Sequence, residues 1–131
     1  MIAEWKLGKG DGDDSRELEE RTKRFSVNVI KLVESFPRNK TADVIGYQIL
    51  KSATSIGANY REATRAESKS DFIHKIGVVE KEANETLYWL ELIKESLVQN
   101  NSVDYLRKEC NEILAIFVAS GKTAKRRIAD R

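Results

Sequence analysis

Residues 42–67 read ADVIGYQILKSATSIGANYREATRAE, and residues 70–98 read SDFIHKIGVVEKEANETLYWLELIKESLV. In the first stretch Ile45, Ile49, Ala53, Ile56, Tyr60 and Ala63 recur by threes and fours, which places them on one stripe of an α-helix. In the second, Phe72, Ile76, Val79, Ala83, Leu87, Leu90, Ile93 and Leu97 form a stripe near heptad spacing. Tyr88, Trp89 and Leu92 thicken that stripe at one end. The pattern breaks at residues 68–70, where Ser70 with Asp71 is expected to cap the second of these helices. Two long amphipathic helices joined by so short a connection pack as an antiparallel hairpin. A turn centred near Ser68 sets Lys51 opposite Glu85 and Ser55 opposite Glu82, so polar residues are expected to meet as a small network beside the core.

Working outward, Leu18, Phe25, Val29, Leu32, Val33 and Phe36 also recur at helical spacing. Ser15 is the expected N-cap of that helix, with Glu17 and Glu19 in its first turn, and Pro37 ends it. Residues 99–102 (QNNS) form a turn with Ser102 as the expected cap. A last helix then runs from Val103 to about Ile128 on Leu106, Cys110, Ile113, Leu114, Phe117 and Val118. Short connections make sequential helices antiparallel neighbours. The expected fold is therefore all-α: an up-down-up-down four-helix bundle over residues 15–131, behind a flexible glycine- and aspartate-rich leader of residues 1–14.

A chain of 131 residues suffices for one domain with a stable core and is too short for two ordinary ones. One cysteine, Cys110, leaves no internal disulfide and suits a reducing cytosol; set among Leu106, Ile113 and Leu114, it reads as a small buried side chain. No apolar run is long enough to cross a membrane, so a cytoplasmic protein is expected.

Catalytic chemistry finds little purchase. Di-metal bundles use inward glutamates and two Glu-x-x-His pairs, whereas this chain has a single histidine, His74, with Asp71 at that spacing. Haem held through a methionine is equally unsupported, since Met1 is the one methionine. Ser52 and Ser55 have no histidine base at a recognisable position. Glu82 and Glu85 share a face and could do acid–base work, but a solvated or salt-bridged face explains them more simply. No enzyme, metal or cofactor is expected.

Charge points towards binding. The net charge is only +2, yet its distribution is uneven. Lys51, Arg61 and Arg65 lie along the second helix, Lys69 and Lys75 near its hairpin, and Lys122, Lys125, Arg126 and Arg127 near the end of the fourth. Cations so placed can engage a phosphate backbone, and they can equally be solvated or complement helix C-termini. The second helix also carries a flanking row of mostly small residues, Gly46, Leu50, Thr54, Gly57 and Ala58. A helix apolar on more than one side needs more than one partner. Either it is the central helix of a monomeric bundle, or one side faces another subunit.

At these motifs the chain resembles a known family. Residues 48–52 (QILKS) and 55–63 (SIGANYREA) look like the signature of the 23S rRNA-intervening sequence proteins. Lys69-x-Asp71-Phe72, residues 81–90 (KEANETLYWL) and the Phe36-Pro37 ending of the first helix extend the likeness from about Phe25 to Phe117. The resemblance implies the four-helix bundle, and it singles out Ser52, Ser55, Asn59, Glu62, Glu82 and Glu85 as the motif's polar residues. Members are similar to the accessory protein of diversity-generating retroelements, a homopentameric barrel that binds nucleic acid and a reverse transcriptase. The resemblance thus implies a pentameric ring, with Gly46, Leu50, Gly57, Ala58 and Trp89 as candidate interface residues. It also implies RNA, DNA or a reverse transcriptase as partners. The leading expectation is a self-associating, non-enzymatic bundle that binds nucleic acid or a nucleic-acid enzyme electrostatically; the alternative is an adaptor or structural oligomer without a nucleic-acid role.

Overall fold

A computed structural model describes the backbone of residues 11–129 and the side chains of residues 15–126. It contains α1 (Asp11–Glu34), α2 (Lys40–Ala63), α3 (Lys69–Ser96) and α4 (Asn101–Ala129), with no strand among the described residues. Each helix packs on the next, and α1 closes the ring against α4. Cross-helix pairs fix the antiparallel sense. Thr22 lies against Gly57 and Val33 against Gly46, Ser52 bonds Thr86, and Ala83 meets Cys110. The bundle expected from the hydrophobic periodicity is present.

None of the three expected caps, Ser15, Ser70 and Ser102, acts as one. The cap of α2 is Asn39, whose Oδ1 accepts the Ala42 N–H at 2.8 Å. Ser68, not Ser70, caps α3 by accepting the Asp71 N–H at 3.0 Å. At α4 the cap is Asn100, whose Oδ1 accepts the Val103 N–H at 3.1 Å, so Ser102 lies inside the first turn. In each case the side-chain oxygen that caps belongs to the residue just outside the first helical one, which at α3 and α4 leaves Ser70 and Ser102 within helical backbone. Ser15 is likewise no cap. It is buried inside α1, and its Oγ accepts the Tyr60 hydroxyl at 3.3 Å. The helix begins by Asp11, inside the segment read as a leader; residues 1–10 lie outside the described residues.

Every member of the α2 stripe, from Ile45 through Ile49, Ala53, Ile56 and Tyr60 to Ala63, is buried. Tyr60 and Phe117 meet edge to face across the bundle with ring centroids 5.1 Å apart, and Phe25 and Phe72 are buried with them. Burying such rings stabilises strongly, since truncating one typically costs about 3–5 kcal/mol.

Two glycines of the flanking row have a partner inside the chain, whereas Thr54 is exposed. A Cβ at Gly57 would stand 3.2 Å from Thr22 Oγ1 and 3.6 Å from the Thr22 backbone, and one at Gly46 would stand 3.0 Å from Val33 Cγ1. Both glycines therefore seat α1. The close approach they permit is taken by the first helix. Of the other interface candidates, Leu50 and Trp89 are half-buried against the core, and Ala58 is exposed.

Gly57→Leu should accordingly lower the free energy of unfolding by about 1–3 kcal/mol in urea titrations, because the added side chain must displace α1. An unchanged midpoint would mean that α1 does not rest there.

Candidate functional site

The up-down-up-down order has a consequence for charge. The C-terminal ends of α2 and α4 and the N-terminal ends of α1 and α3 share one end of the bundle. The approach of Gly121 to Ile76 and Glu80 fixes how α4 enters it. Arg61, Arg65, Lys69, Lys75, Lys122, Lys125 and Arg126 all belong to this end, although they lie far apart in sequence. Lys51 stands apart, exposed near the middle of α2. The Arg127 side chain lies outside the described residues.

These cations are not equally free. Arg61 and Arg65 approach the same Glu19 carboxylate at 3.6 and 3.8 Å. Lys75 lies 3.8 Å from Glu62 and 3.9 Å from Asp71. Pairs this long and exposed contribute little to stability and exchange readily for another anion. Lys69, Lys122, Lys125 and Arg126 form no ion pair with another described residue. Lys122, Lys125 and Arg126 are exposed on the last turns of α4, where the helix dipole already favours cations.

The motif's polar residues mostly bond locally. Ser55 Oγ donates to the Lys51 carbonyl at 2.6 Å, and Asn59 Nδ2 donates to the Ser55 carbonyl at 2.8 Å. Glu85 accepts the Trp89 indole N–H at 3.2 Å. The expected cross-hairpin network is thus reduced to two links, the Glu62–Lys75 pair and a buried bond in which Thr86 Oγ1 donates to Ser52 Oγ at 2.8 Å. Ser55 and Glu82 form no hydrogen bond with each other. Glu82 is half-buried, and its carboxyl is raised above the ordinary value of 4.5, first by burial and then by the charge of Glu85; Lys81 and Lys51 offset part of the rise.

Two groups considered for chemistry are placed clearly. Cys110 is buried, donates to the Ala83 carbonyl at 3.3 Å, and has its thiol pushed up to about 12 chiefly by burial. A thiol so protonated is a poor nucleophile. His74 is exposed near the start of α3. No cluster of three or more His, Cys, Asp or Glu side chains could hold a metal ion among the described residues.

Periodicity gives no sign of one interaction that holds the ring shut. Arg21 on α1 forks onto Glu109 of α4 at 2.8 and 2.7 Å and reaches Glu112 at 3.0 Å. A bidentate guanidinium–carboxylate pair is among the stronger polar contacts. The hydrogen bond to Glu109 raises the affinity of Arg21 for its proton above the ordinary arginine value.

With the helices and their motif residues in place, the family model for the 23S rRNA-intervening sequence protein matches residues 16–119. The chain belongs to that family. A crystal structure from Bacteroides thetaiotaomicron VPI-5482, described as a protein of unknown function from the S23 ribosomal protein family, is similar to it at 34% identity. That likeness has a TM-score of 0.76 and covers 82% of this chain and 97% of the other. No curated protein matches. The match spans all four helices of this 23S rRNA-intervening sequence protein, and no helix among the described residues is long and apolar enough to cross a membrane.

The raised carboxyl of Glu82 sets a pH dependence. The folded chain holds that proton more firmly than the unfolded chain, so this group's contribution to stability falls as pH rises from about 4.5 through the raised value. Glu82→Gln, which keeps the shape of the neutral form, should be more stable than the parent at neutral pH and lose that advantage below about pH 4. Chemical denaturation at the two pH values checks it, and a less stable variant at neutral pH would show that the attraction of Lys51 outweighs burial.

Proposed function

We propose that this 23S rRNA-intervening sequence protein is a non-catalytic, self-associating helical module that binds the backbone of RNA or DNA through the basic end of its bundle. The observation that carries the reading is the convergence of Arg61, Arg65, Lys69, Lys75, Lys122, Lys125 and Arg126 on one end. Binding of this kind is electrostatic and independent of base sequence, because phosphate contacts position a strand without reading it. With a net charge of +2, one chain would bind weakly, and a ring of subunits would sum the cationic ends. A pentamer is the ring the family resemblance suggests. A reverse transcriptase or another nucleic-acid enzyme is a compatible second partner, and the cytoplasm a compatible setting.

A second reading, a protein–protein adaptor, draws on a different feature. Val44, Tyr47, Tyr88 and Tyr105 are each more than half exposed, and all lie on the half of the bundle away from the basic end. Exposed tyrosines are common at protein interfaces as well as beneath nucleic-acid bases.

Titration of a fluorescent single-stranded RNA at several salt concentrations separates the two. The nucleic-acid reading expects affinity to fall steeply with salt. Replacing Lys125 and Arg126 by glutamine should flatten the log–log slope by roughly 0.7 for each phosphate that is no longer neutralised. No binding at low salt would leave the adaptor. Light scattering tests the ring directly: a clean mass of 14.9 kDa would remove it.

A further inference from the structure

Away from the basic end, an open cleft of about 540 Å³ runs between the second half of α1 and the start of α4. Its composition differs from that of three other clefts in the bundle. It is lined by one cation, Lys31, together with amides, hydroxyls, leucines and a tyrosine, and by no carboxylate. Three other clefts each include acidic side chains, among them Glu17 and Glu20, Glu91 and Glu95, and Glu34 and Asp43. In a chain with 21 Asp and Glu residues, a cleft free of them can receive an anion without like-charge repulsion.

The polar groups lining it are also uncommitted. The side chains of Asn28, Lys31, Asn101, Ser102 and Tyr105 form no hydrogen bond or ion pair with another described residue. Asn100, by contrast, is occupied in capping α4, and Ser35 donates to the Leu32 carbonyl. The apolar part of the lining is supplied by the buried side chains of Leu32 and Leu106. Tyr105 is 57% exposed at the edge, a large aromatic surface left in water. A flat ring, a neighbouring cation, and free amide and hydroxyl groups match the parts of a nucleotide, which offers a π-face, a phosphate and hydrogen-bonding edges.

We infer that this cleft seats one unpaired nucleotide of a nucleic-acid strand, with its base stacked on Tyr105 and its phosphate on Lys31. The inference rests on the nucleic-acid reading above and deepens it: the ligand is single-stranded, because a base already paired and stacked in a duplex cannot lie on the tyrosine. Arg24 sits two helical turns before Lys31 on the same side of α1, exposed, and offers a phosphate contact on the way from the basic end. A strand of about ten nucleotides falls within the usual site sizes and suits both contacts.

The test uses fluorescence anisotropy with the full chain, a labelled single-stranded RNA of about ten nucleotides, and the same sequence fully paired. The expected result is preference for the single strand. Tyr105→Ala should weaken single-strand binding roughly tenfold while Tyr105→Phe retains it, and Lys31→Gln should weaken it and lower the salt slope. The duplex should be indifferent to Tyr105. Because Tyr105 is exposed, its variants should keep the parent's unfolding midpoint, which is checked alongside. Equal affinity for duplex and single strand, or a Tyr105→Ala protein that binds like the parent, would overturn the cleft as a nucleotide site. If both RNAs bind and respond to Lys125 and Arg126 but not to Tyr105, only this inference fails. If neither binds at low salt, the nucleic-acid reading fails with it.

Discussion

The rest of the molecule depends on the seating of α1 on α2 over Gly46 and Gly57. At these positions the backbones approach so closely that a Cβ would stand 3.0 Å from Val33 and 3.2 Å from Thr22. Each glycine costs about 1 kcal/mol of helix propensity against alanine, and the dense packing they permit offsets that cost. Closure follows from the seating. With α1 laid along α2, its other side faces α4, and Arg21 can fork onto Glu109 and Glu112. The apolar stripes of all four helices then share one core around Tyr60, Phe25, Phe72 and Phe117.

The same closure divides the surface by chemistry. Because the helices alternate in direction, residues near 61–75 and 122–126 share an end despite their separation in sequence. That end carries most of the candidate cations, several held by long ion pairs that a phosphate could displace. The other half of the bundle presents Val44, Tyr47, Tyr88 and Tyr105, and the interior offers a protonated thiol and sealed hydroxyls. Such a distribution suits recognition at the surface.

Much of the fold can be read from spacing. Burial on α2 follows the threes-and-fours stripe from Ile45 to Ala63 without exception, because periodicity records which face leaves water. It does not record which neighbour covers a face, so Gly46 and Gly57 point as well to a second subunit as to α1. The expected caps of α3 and α4 each miss by two positions for a related reason. Ser68 and Ser70, or Asn100 and Ser102, have similar capping chemistry, and the backbone conformation decides between them, as the extended φ of −141° at Ser68 does. The Arg21–Glu109 clamp joins residues 88 apart and leaves no local trace. Of the candidate site, the cationic residues are legible by type and their meeting at one end only through topology. The Tyr105 cleft is not, since Lys31 and Tyr105 are brought together by packing alone.

The central proposal, that strands engage the shared basic end, is tested most directly by photo-crosslinking a 4-thiouridine RNA to the protein and identifying the attached peptides by mass spectrometry. The account predicts crosslinks in peptides covering residues 61–75 and 119–126, and their loss at high salt. Crosslinks absent from both segments, or insensitive to salt, would contradict it.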